Sequence, residues 1–67
     1  MQNFSWQDTQ IIAEELYDLY PDINPQYIRF TDLHQKICTL KGFEGEANKS
    51  NERILEAVQM AWIEEAS

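Results

Sequence analysis

Apolar positions recur at helical spacing in three separate stretches of this chain. In the first, Ile12, Ala13, Leu16, Leu19 and Tyr20 fall on one face of a wheel that turns about 100° per residue. Ser5-Trp6-Gln7-Asp8 has the form of a capping box and is expected to open this helix. Pro21 ends it, because the residue before a proline is pushed toward extended backbone. Asn24-Pro25 is expected to cap a short helical turn with Pro25 at its first position. Tyr27-Ile28-Arg29-Phe30 reads as extended and half-buried. Thr31 then fits the N-cap of a second helix, with Asp32 at its positive end and Leu33, Ile37 and Leu40 as its apolar stripe. Gly42 to Glu46 reads as a loop. Ser50 is expected to cap a third helix, with Glu52 in its first turn and Ile54, Leu55, Val58, Ala61 and Trp62 on its buried face.

The pattern predicts a mainly α fold: one small three-helix domain over residues 1–67, packed like a helix-turn-helix or winged helix. A chain of 67 residues has room for one modest core. No apolar run approaches the roughly 20 residues that cross a bilayer, so no membrane association is expected. Met1-Gln2-Asn3-Phe4 lacks the basic start and apolar stretch of a signal peptide. A single cysteine, Cys38, cannot form an internal disulfide, which fits a reducing, cytoplasmic setting. A monomer is expected.

Charge changes the picture more than composition does. Twelve acids oppose five bases, for a formal net charge of −7. Asp8, Glu14, Glu15 and Asp18 lie away from the apolar face of the first helix, and Asp22 follows its stop. Glu14 and Asp18 are one helical turn apart and repel by a few tenths of a kcal/mol. Glu64 and Glu65 stand at a helix C-terminus, where negative charge is unfavourable. Any single acid is explained by solvation, but a whole acidic face calls for a basic partner, a bound cation, or both. Ile11 projects among Glu14, Glu15 and Asp18, and either touches a partner or packs under the C-terminal segment. Trp6, Tyr20, Tyr27 and Trp62 read as core or core-edge residues, whereas Tyr17 borders the acidic face and is a candidate contact.

The same charge disfavours nucleic acid, whose affinity comes from neutralising phosphates. The second helix offers only Lys36 and Lys41 for that purpose. An acidic mimic of DNA, or a generic protein-interaction module, remains an alternative reading of the charge. Carboxylates suit hard cations, yet there is no EF-hand loop and no His/Cys cluster. His34 and Cys38 share a helix face, but two ligands fall short of the four of a zinc site. A hydrogen-bonding His34 and a buried Cys38 are the expected roles. No nucleophile–base set or phosphate loop is present.

Taken together, Trp6-Gln7-Asp8, Glu14-Glu15-Leu16-Tyr17-Asp18, Tyr20-Pro21-Asp22, Pro25, Arg29-Phe30-Thr31-Asp32-Leu33-His34, Ile37-Cys38, Phe43, Ser50 to Ala57 and Trp62 resemble the IscX family. These are small acidic proteins of bacterial iron–sulfur cluster assembly, and the likeness runs over nearly the whole chain. It implies a modified winged-helix fold and binding to the pyridoxal-phosphate cysteine desulfurase near its active site. It further implies ferrous iron held weakly by surface acids, overlap with bacterial frataxin, and an adaptor or regulator without catalytic activity. Asp8, Glu14, Asp18 and Asp22 match acids of the family pattern and are the implied metal residues. With Ile11, Glu15 and Tyr17, read above from the helix wheel, they make up the candidate partner surface. Glu15 is an additional acid, and Ile11 stands where some relatives are expected to carry one. The loop Lys41 to Glu46 is less acidic than the family's usual run, which moves the expected iron site to the first helix.

Overall fold

The first helix begins later than the sequence pattern puts it. Ser5 and Asp8 do bond reciprocally: the Ser5 N–H donates to Asp8 Oδ2 at 3.0 Å, and the Asp8 N–H to the Ser5 carbonyl at 2.9 Å. They close a turn ahead of the helix. Asp8 is itself the N-cap residue, and α1 runs Thr9–Leu19. In this computed structural model residues 3–67 are described, and the part of the N-terminal reading that falls on Met1 and Gln2 lies outside them.

The chain leaves α1 at Tyr20, as Pro21 requires. Lys36 Nζ sits 4.8 Å from the centre of the Tyr20 ring, a cation–π contact that covers this end. A 3-10 turn, Pro25–Tyr27, follows, with the Asn24 side chain accepting from the Gln26 N–H at 3.0 Å. The backbone is extended at Ile28 and Arg29. The second helix, α2, spans Phe30–Cys38 with Arg29 at the N-cap, so Thr31 and Asp32 both lie in its first turn. The third, α3, spans Glu52–Ala66. Its cap is Asn51, one residue beyond the expected Ser50, and Asn51 Oδ1 accepts from the Ile54 N–H at 2.9 Å.

The three helices enclose one core. Ile12, Ala13 and Leu16 of α1 meet Leu55, Val58 and Trp62 of α3, and Leu33, Ile37 and Leu40 close it from the α2 side. The chain forms a body of 27 × 26 × 16 Å, only about two helices thick. Gln59 Nε2 donates to the Pro25 carbonyl at 2.9 Å and ties the 3-10 turn to α3.

Two expected core residues lie outside this core. Tyr27 is 80% exposed, because the 3-10 turn changes the side-chain period and buries Pro25 instead. Leu19 is 59% exposed, since the last turn of α1 carries it past the covered part of that face. The mainly α, three-helix expectation is met. Among the described residues no strand ladder forms a wing, and the β contact is an isolated parallel bridge between Phe4 and Phe43.

That bridge belongs to a lock between the N-terminal segment and the loop before α3. The Phe4 N–H donates to the Gly42 carbonyl at 3.0 Å, and the Glu44 N–H to the Phe4 carbonyl at 2.8 Å. Trp6 Nε1 donates to the Glu46 carbonyl at 2.6 Å, and its ring meets Phe43 edge-on at 4.8 Å. Gly45 fits because it lacks a Cβ, which would stand 2.5 Å from Phe43 Cζ and 2.7 Å from Trp6 Cδ1. Gly45→Ala is therefore expected to destabilise the protein by about 1–3 kcal/mol, because both rings are packed and must shift. Thermal denaturation checks this, and an unchanged melting temperature would refute it.

Candidate functional site

The acids of α1 are sorted by the fold into different places. Asp8 stands at the N-cap with its carboxylate engaged by Ser5, as described above. Asp22 follows the other end of α1, in a shallow groove of about 360 Å³ between Pro21–Gln26 and the end of α3, where Ile63 and Ala66 form part of the wall. Neither joins the remaining acids.

Glu14, Glu15 and Asp18 do share one surface. They line a second groove of about 510 Å³ together with Ile11 and Tyr17, and its far side carries Glu65 of α3. Ile11 stands where α1 faces the C-terminal helix. Its side chain packs against the edge of the core, and it also lines this groove opposite Glu65. Tyr17 is 37% exposed, in line with its place at the border of the acidic face. A groove with apolar and aromatic residues among four carboxylates can take a basic side chain whose hydrocarbon stem is also covered.

Glu65 was not legible as part of this surface. Its unfavourable position at a helix C-terminus is a sequence signal, but which helix lies against that terminus is not. The structure supplies the answer. Gln10 Nε2 donates to Glu65 Oε1 at 2.7 Å and joins the start of α1 to the end of α3.

The implied iron ligands do not form one donor set. Asp8 is bonded to Ser5, Asp22 lines the other groove, and only Glu14 and Asp18 remain together. Among the described residues no three His, Cys, Asp or Glu side chains converge closely enough to hold a metal ion.

His34 takes the expected hydrogen-bonding role, whereas Cys38, expected to be buried, is only partly so. His34 Nε2 donates to the Ala47 carbonyl at 2.7 Å, and its ring stacks on Trp6 at 5.5 Å with 20° between planes. It thus adds to the lock on the loop before α3. Cys38 is half-buried, and desolvation raises its thiol above the ordinary value, which suppresses the reactive thiolate.

These features define a class: a small three-helix acidic domain whose distinctive surface is a carboxylate-lined groove between two helices. The sequence model of the iron-sulphur cluster assembly family matches residues 4–67. The chain belongs to that family, the IscX family. An uncharacterized protein of Pseudomonas aeruginosa is 38% identical over 63 residues, which span 94% of this chain and 96% of that relative. Among the described residues no helix is long and apolar enough to cross a membrane.

Proposed function

We propose that this protein is a non-enzymatic adaptor of cytoplasmic iron–sulfur cluster assembly that docks on the cysteine desulfurase through its acidic groove. The observation that carries the reading is the groove itself: Glu14, Glu15, Asp18 and Glu65 surround Ile11 and Tyr17 on a member of the cluster-assembly family. Carboxylates gathered on one face repel each other, and a basic partner relieves that repulsion. Ile11 and Tyr17 give the partner apolar area to cover, so docking need not rest on charge alone. Charge does set the encounter, because opposed potentials raise the association rate and orient the two proteins. The partner surface at the desulfurase would then be basic, and bacterial frataxin would compete for it.

Ferrous iron enters this reading only as a weakly held counter-ion of the same face. With no converging donor set, affinity and selectivity for iron are expected to be low. Iron and desulfurase would be linked through the shared charge, each weakening the other's binding to the same extent.

The test is titration of this protein with the cysteine desulfurase across ionic strength. Screening shortens from about 30 Å at 0.01 M salt to about 8 Å at 0.15 M. Affinity is expected to fall at least about tenfold over that range, a loss that Coulombic docking requires. An affinity indifferent to salt would exclude docking through the acidic groove.

A further inference from the structure

We infer that Gln10 is a positioning residue for partner binding: it holds Glu65 of α3 against the carboxylates of α1 so that the docking surface spans both helices. The inference rests on the docking role proposed above and goes beyond it in naming what shapes the surface.

Glu65 is placed against two repulsions. It stands in the last turn of α3, where the helix dipole disfavours negative charge. It also shares a groove with Glu14, Glu15 and Asp18. Left to itself, a flexible glutamate side chain would turn away from the other carboxylates into water. The Gln10 amide opposes this by donating to Oε1 at 2.7 Å, a hydrogen bond strengthened by the acceptor's charge. Among the described residues only Oε1 of Glu65 is used, which leaves Oε2 to accept from a basic group on the partner. Gln10 is neutral, so it fixes the carboxylate without neutralising it. A lysine at the same place would cancel the charge that the partner is to meet.

Charge and position can be separated by one substitution. Gln10→Glu adds a negative charge beside the groove and replaces the donor with an acceptor that repels Glu65. If net charge alone governs docking, this variant binds the desulfurase more tightly than the parent protein. If Gln10 positions Glu65, it binds more weakly despite its extra charge. Affinities are measured for the parent, Gln10→Glu, Gln10→Ala, Glu65→Gln and the Gln10→Ala/Glu65→Gln double variant at low ionic strength. Gln10→Ala and Gln10→Glu are each expected to weaken binding about threefold to tenfold. The double variant is expected to match Glu65→Gln alone, since Gln10 has nothing left to position.

Tighter binding by Gln10→Glu, or full affinity in Gln10→Ala, overturns the inference. In the free protein, NMR contacts between the Gln10 side-chain amide protons and the Glu65 side chain are expected, and their absence overturns it without reference to any partner. Failure of the docking role itself gives a different result: the Glu14→Lys/Asp18→Lys variant then binds as the parent does, and the role of Gln10 in docking falls with it.

Discussion

Trp62→Ala is expected to melt about 12–40 °C below the parent protein, enough to leave most of the chain unfolded at physiological temperature. Trp62 is fully buried and is the largest of the side chains wholly enclosed in the core. Removing a buried tryptophan to alanine costs about 3–5 kcal/mol in lost transfer energy and cavity. A domain of this length has roughly 3–10 kcal/mol in all. The loss falls on a thin core, because the body is only 16 Å thick and α1 and α3 meet across this residue's layer. The indole N–H has no acceptor among the described residues, so it adds nothing to the loss. For that reason Trp62→Phe is expected to lose clearly less than Trp62→Ala. Circular dichroism against temperature decides it, and an alanine variant melting within a few degrees of the parent would contradict this account of the core.

Reversing two groove charges has the second-largest effect, on binding and not on folding. Glu14→Lys with Asp18→Lys moves the formal charge from −7 by two units at each site, to −3. Both residues are exposed, so melting is expected to stay within a few degrees of the parent. Like charges set against a basic partner cost several kcal/mol, and each 1.4 kcal/mol is tenfold in affinity. A loss of at least about a hundredfold toward the desulfurase is expected. The control is Asp32→Lys with Glu56→Lys, which makes the same change in net charge at exposed positions outside the groove. That pair should weaken binding far less. Equal losses in the two pairs would show that total charge, and not the groove, is what the partner reads.

What could be read from the sequence and what could not divide along physical lines. The helix faces were legible because burial imposes a period of 3.6, and Ile12, Leu16, Leu33, Ile37, Val58 and Trp62 obey it. Pro21 and Asn24-Pro25 were legible because they constrain the backbone locally. The helix starts slipped by one to three residues: Ser5 and Ser50 compete with Asp8 and Asn51, which are equally good caps, and at α2 Arg29 takes the N-cap position without a side-chain bond, against the preference for Thr31. Tyr27 was misplaced because it was read into the extended segment, whereas the turn that Asn24-Pro25 opens runs on through it. At the candidate site, Ile11, Glu14, Glu15, Tyr17 and Asp18 came from one helix wheel, which needs no tertiary information. Glu65 and Gln10 needed the packing of α1 on α3. The separation of Asp8 and Asp22 from the rest needed the turns at either end of α1.

The lock between the N-terminal segment and the loop before α3 also bears on how the chain closes on itself. Trp6 and Glu46 meet across 40 residues of chain, so their bond closes a long ring. The packing of α1 on α3 closes a longer one, since Gln10 and Glu65 meet across 55 residues. Each ring loses chain entropy before it gains any contact. A fold that rests on two such closures is expected to form more slowly than a helical bundle paired through near neighbours.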